Sequence, residues 1–209
     1  MAQLIATIGP RIVIPGFFVG QKIRTMTDIG KIFQTVAFSA FFVTSVITAF
    51  QSSIWLSIIP GIAGLSYYSM LADPNNTQTY RYADWTITTP LMLAAILFAN
   101  HSSLALILGL VVLDLIMIGA GYIGVKEPDI KKKWLPFGVG CLALLPILYI
   151  LLHQKKHRAA IYLTVALWIL YPLVWAIEEA QVATETIITC TYSVMDVLAK
   201  VGLVYLLQA

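Results

Sequence analysis

Lys200 lies in the middle of an apolar segment, SVMDVLAKVGLVYLL, with Asp196 one helical turn before it, and an earlier segment carries Arg81, Asp84 and Thr88 at spacings of three and four. Residues so spaced stack along one face of a helix. An ionised side chain at bilayer depth costs roughly 2.5 to 3.5 kcal/mol on insertion scales, so a lysine kept there holds a partner or does chemistry. The best-attested chemistry for such an amine is imine formation with an aldehyde. Two carboxylates, a guanidinium and a lysine from two facing helices form a nearly neutral cluster, the arrangement that buried charge requires. The same four residues would also hold two helices together without any ligand.

The elements that must position these residues follow from composition. The 209 residues are 59% hydrophobic and 11% charged, with a mean hydropathy of +0.86, which marks an integral membrane protein. Several apolar stretches reach the roughly 20 residues needed to span the hydrocarbon core as a helix, and none alternates as a membrane β-strand does. The fold class is therefore all-α, with seven predicted spans over 30–50, 53–71, 80–99, 104–124, 134–152, 159–177 and 186–207. Their short connections join antiparallel neighbours and leave no room for a soluble domain. Residues 28–209 form one membrane domain, and residues 1–27, with Pro10, Pro15, Arg11, Lys22 and Arg24 in an apolar background, read as an interfacial segment lying on the bilayer. Cys141 and Cys190 sit inside apolar segments as small buried hydrophobes, with no disulfide framework or metal site. A formal charge of +3 is too small to suggest a nucleic-acid partner.

Of the ten Asp and Glu residues, only Asp84, Asp114 and Asp196 fall well inside predicted spans. The sixth span carries Trp168, Tyr171, Pro172 and Trp175 on one face, and the third adds Trp85 with Thr88, Thr89 and Pro90. Alone, such a stripe is packing. Beside a buried lysine, flat rings on two helices make a slot for a long, planar, apolar ligand tethered by an imine.

RYADWTITTPLM in the third span, LWILYPLVW in the sixth and DVLAKVG in the seventh resemble the microbial (type I) rhodopsins. The likeness extends to Tyr67, Ser69 and Met70 and to LDLIMIGAG, so it covers nearly everything after the first span. The resemblance implies a seven-helix bundle around all-trans retinal, bound as a protonated Schiff base on Lys200. It implies Asp84 as primary counterion and proton acceptor and Asp196 as second counterion, with Tyr67 and Tyr171 holding Asp196 and Thr88 hydrogen-bonding Asp84. Arg81 would lie between Lys200 and the side of the second and sixth loops. Trp85, Trp168, Tyr171 and Trp175 would sandwich the polyene, and Thr89, Met92, Met117, Gly121, Pro172 and Ala199 would complete the pocket. Asp114 matches a buried carboxyl beside the ionone ring, and Gly138 and Leu142 of the fifth span take pocket positions, with Pro136 and Pro146 perturbing that helix. Homo-oligomers, trimers or pentamers, are also implied.

The chain departs from the pattern in two places. Eleven residues after Asp84, where outward pumps of the archaeal type carry a carboxyl donor, it has Ala95, giving an Asp-Thr-Ala signature. The resemblance then implies slow, pH-dependent re-protonation from water or another group. One position of the family's proton-release pair is Ile188, while Glu178, Glu179 and Glu185 stand nearby, as solvated loop charges or as a relocated release group.

The leading expectation is a light-driven proton pump. It is outward in the family's usual orientation and inward if inserted inverted, an inversion the loop charges favour. Arg11, Lys22, Arg24, Lys31, Lys126, Lys131, Lys132 and Lys133 would otherwise face outward against Lys155, Lys156 and Arg158 inside. Asp84 argues against a chloride pump. A slow sensory photoreceptor, which would need a separate transducer, and a light-gated channel are the alternatives; neither these nor the pump is an enzyme.

Overall fold

The computed structural model describes residues 27–51 and 54–208, and these form seven α-helices: α1 Asp28–Gln51, α2 Ile54–Ala72, α3 Thr77–Ala99, α4 Leu104–Lys126, α5 Trp134–Leu152, α6 Arg158–Glu179 and α7 Glu185–Gln208. The interfacial segment expected at the amino end lies outside the described residues, but for Thr27. Helices of 19 to 24 residues are about 28 to 36 Å long at 1.5 Å per residue, which matches the hydrocarbon core. All seven are long and apolar enough to span a membrane. The sequence bounds agree within three residues; α3 starts earlier than expected because a 3-10 turn, Pro74–Asn76, leads straight into it.

Each helix packs on its neighbour in sequence, and α7 closes the ring on α1. The apolar side chains divide accordingly. Phe50, Trp55, Leu65 and Leu142 point outward, as lipid-facing residues do, whereas the buried residues of α7 (Tyr192, Met195, Asp196, Ala199, Lys200, Leu203) recur every three or four positions. That spacing aims Asp196 and Lys200 at the bundle axis. Prolines sit inside four helices, at Pro60, Pro90, Pro146 and Pro172, which a bundle tolerates when neighbours satisfy the freed carbonyls. Small residues set the closest approach: a Cβ on Gly61 would stand 3.1 Å from Ser45 Oγ and one on Gly64 3.5 Å from Phe41 Cβ, so α1 and α2 meet almost backbone to backbone.

Candidate functional site: a lysine at the end of an aromatic cavity

Lys200 is 1% exposed and Asp84 and Asp196 are fully buried. Lys200 Nζ donates to Asp84 Oδ2 at 2.5 Å and to Asp196 Oδ1 at 3.2 Å, so one ammonium is shared by carboxylates from α3 and α7. The two carboxylates are held very differently. Asp196 also accepts from Tyr67 Oη at 2.8 Å, Tyr171 Oη at 2.6 Å and Trp85 Nε1 at 3.2 Å, whereas Asp84 Oδ1 has no hydrogen-bond partner among the described residues. A proton placed on Asp196 would disturb bonds from four donors; on Asp84 it meets an open oxygen. Thr88 Oγ1 donates to the Asp84 backbone oxygen at 2.9 Å, so the expected Thr88–Asp84 bond reaches the main chain of that residue.

The ammonium ends a cavity of about 90 Å³, as open to the centre of a water-sized sphere, between α3, α4, α5, α6 and α7. Trp85, Thr89, Met92, Met117, Gly121, Trp168, Tyr171, Pro172, Trp175 and Ala199, the residues that the resemblance implies as a pocket, all line this cavity. Trp85 meets Tyr171 edge to face at 5.2 Å, and Trp175 stacks on Phe137 at 4.6 Å. Asp114 is fully buried one layer behind, where Thr89 Oγ1 donates to its Oδ2 at 2.7 Å.

On α5 the register differs from the expectation. Gly138 does not line the cavity and Leu142 is 69% exposed; the lining residues are Phe137, Gly140, Cys141 and Leu144. These follow a three-four-seven spacing displaced by one residue, about 100° of helix rotation, which is enough to turn a side chain from ligand to lipid. Cys141 is accordingly a half-buried lining residue, free like Cys190, in place of the buried filler expected. Tyr82, which sequence reasoning passed over, also lines the cavity. It was findable, since Tyr82, Trp85, Thr89 and Met92 form one face of α3.

Arg81 is 4% exposed and its charge is matched elsewhere than expected. Its Nη1 pairs with Glu178 Oε2 at 3.6 Å, and its guanidinium lies over the Tyr192 ring at 3.9 Å. Gln78 Nε2 donates to Glu178 Oε1 at 3.2 Å, and Lys133 pairs with Glu179. Glu178 and Glu179 are therefore largely buried ion-pair partners closing the last turn of α6, at side-chain exposures of 13% and 8%, and not solvated loop charges. Glu185 opens α7, half-buried.

The profile of a family described as bacteriorhodopsin-like protein matches residues 21–209. The chain belongs to this family of microbial rhodopsins. It is 33% identical over 175 residues to bacterial rhodopsin CSR3 of Haloarcula vallismortis, covering 74% of each chain. It is 34% identical over 181 residues to sensory rhodopsin-1 of Halobacterium salinarum, 74% of this chain and 73% of that one. With bacteriorhodopsin of the same species it shares 32% over 175 residues, 77% and 66% of the two chains. Among solved structures, cyanorhodopsin from Calothrix sp. superposes with a TM-score of 0.80 at 25% identity, over 87% of this chain and 94% of that one. A light-driven proton pump from Leptosphaeria maculans gives 0.80 at 24%, over 88% and 96%, a likeness of fold. This rhodopsin is thus a multi-pass integral protein of the cell membrane. Rhodopsins of the family bind retinal and act as light-driven pumps or sensors, not as enzymes in the ordinary sense.

Proposed function

We propose that this rhodopsin is a light-driven proton pump, with all-trans retinal carried on Lys200 Nζ as a protonated imine. The observation that supports this best is the unequal treatment of the two carboxylates at Lys200: Asp196 is saturated with donors, while Asp84 carries one contact and an open oxygen. The residues fit the group, because a primary amine with two counter-charges closes one end of a slot walled by Trp85, Trp168, Tyr171 and Trp175. Retinal supplies absorption of light and a change of shape. The protein supplies the path. The proton on Lys200 Nζ passes to Asp84 at 2.5 Å, while Asp196, fixed by Tyr67 and Tyr171, keeps one negative charge beside the lysine. Arg81 and Glu178 lie toward the α6–α7 loop, the side from which the proton leaves, with Glu178, Glu179 and Glu185 as the acids available there. In the family's usual orientation that side is outside and the pump is outward; inverted insertion makes it inward.

Illumination of sealed cells or liposomes in unbuffered medium tests this reading. A sustained pH change abolished by a protonophore is expected, its sign gives the direction, and Lys200→Ala removes both the change and the visible absorbance. A second reading, a slow sensory photoreceptor working through a transducer, is favoured by Ala95 at the donor position of the Asp-Thr-Ala signature and by the 34% identity to sensory rhodopsin-1. It is the result if light produces a photocycle lasting seconds without pH change.

A further inference from the structure

The three histidines of the chain, His101, His153 and His157, all stand at one end of the bundle, and none of its ten Asp and Glu residues lies there. This is the end where α3, α5 and α7 finish and α4 and α6 begin, opposite to Arg81 and Glu178. His101 and His153 are exposed and His157 half-buried. Among the described residues, the other titratable or charged side chains of this end are Lys155, Lys156, Arg158, Tyr149, Tyr162 and Tyr205, and of all these types only histidine changes charge between pH 5 and 8 in the ordinary course.

Their contacts leave His153 with a free basic nitrogen, whereas His101 can take a proton at Nε2 only by giving up its bond from Lys156. His101 Nε2 lies 2.8 Å from Lys156 Nζ, where it accepts, joining the α3–α4 turn to the α5–α6 turn. His153 Nδ1 lies 2.7 Å from Tyr149 O, where it donates, which leaves Nε2 as the basic nitrogen. Arg158 spends its Nη1 on the carbonyls of Leu152 and Gln154 at 2.9 and 2.8 Å. His157 caps α6. Two turns inward on the same helix, Thr164 is fully buried and its hydroxyl has no partner among the described residues. One turn further, Trp168 lines the cavity of Lys200.

We propose that His101, His153 and His157 collect the protons that return to Lys200, taking the place of a carboxyl donor at Ala95, with Thr164 as the buried polar step between them and the cavity. The inference rests on the reading of this chain as a proton transporter. An imidazolium N–H gives up its proton inward, Thr164 Oγ1 passes one on, Lys200 Nζ receives one, and the imidazole takes another from the medium. Charge and protons balance without a further reactant.

The test is flash photolysis of the triple variant His101→Gln, His153→Gln, His157→Gln in weakly buffered medium from pH 5 to 9, alongside the three single variants. Re-protonation of Lys200 Nζ is read as recovery of the visible band. The triple variant is expected to recover at least about tenfold more slowly at pH 7, to lose the inflection between pH 5 and 8, and to regain speed with millimolar imidazole. In the parent, that inflection is expected to coincide with the titration midpoint of at least one histidine ring, measured by NMR in the unilluminated and retinal-free protein. Recovery within twofold of the parent at every pH, or an inflection more than one pH unit from all three ring midpoints, overturns the proposal and leaves the pump reading intact. A parent whose Lys200 never loses its proton overturns both.

Discussion

Arg81 Nη1 stands 3.6 Å from Glu178 Oε2, so the guanidinium of α3 is paired with the last turn of α6 on the loop side of Lys200. Gln78 holds the same carboxylate from one turn earlier in α3. If Asp84 takes a proton on illumination, as proposed, the negative charge near Lys200 falls and Arg81 is drawn more strongly to the Glu178 carboxylate, which lowers the proton affinity of the groups around that ion pair. Glu178→Gln should therefore leave the visible band in place but delay the release of a proton to the medium until after pigment recovery. A pH-indicator dye after a flash checks this; release on the parent's time course would show that Glu178 takes no part.

The two carboxylates at Lys200 predict opposite phenotypes. Asp84→Asn removes the open acceptor and leaves the Asp196 network standing, so a pigment should form with a shifted band and no sustained light-driven pH change. Asp196→Asn disturbs Tyr67, Tyr171 and Trp85 together, and buried donors left poorly matched cost about 1–3 kcal/mol each. It should give a lower pigment yield and faster thermal bleaching than Asp84→Asn. Reconstitution with retinal and the loss of absorbance at raised temperature compare the two; equal stabilities would mean that the hydrogen bonds to Asp196 are energetically idle.

Thr89 Oγ1 lies 2.7 Å from Asp114 Oδ2 and 2.8 Å from the Trp85 carbonyl. Thr89→Val keeps the shape and removes the hydroxyl, leaving a fully buried carboxyl with no side-chain partner among the described residues. The expected cost is about 1–3 kcal/mol, and the double change with Asp114→Leu should recover most of it. Thermal bleaching of the four proteins in one cycle measures the coupling.

Much of the fold and site was legible because the signals were local. Lys200, Asp196, Arg81, Asp84 and Thr88 announce themselves by cost and helical spacing, and the seven spans by their length. Phe137, Gly140 and Cys141 were not legible, because an almost uniformly apolar helix such as α5 carries no polar stripe to fix its rotation. The pairing of Arg81 with Glu178 was hidden for another reason: the residues are far apart in sequence, and a glutamate at a helix end reads as solvated until packing buries it. Asp196 as a hub was foreseen for Tyr67 and Tyr171, but the Trp85 contact depends on ring orientation, which spacing does not give.

Two glycines close to side chains separate shape from chemistry in the cavity. A Cβ on Gly121 would stand 2.9 Å from Tyr82 Oη and 3.2 Å from its Cε1. Tyr82 is itself pinned, edge to face on Trp85 at 5.1 Å and against Tyr122 at 5.3 Å, so Gly121→Ala must push a fixed ring into the pocket. A Cβ on Gly202 would come even closer, 2.7 Å, but to Leu163 Cδ2, the free end of a half-buried side chain that can turn away. Overpacking of a fixed site costs about 1–3 kcal/mol. Gly121→Ala should therefore slow pigment formation with added retinal and lower the bleaching temperature, while Gly202→Ala changes neither by much despite the shorter contact. If Gly202→Ala proves the more damaging of the two, the distance alone governs and the rigidity of Tyr82 is not what shapes the cavity.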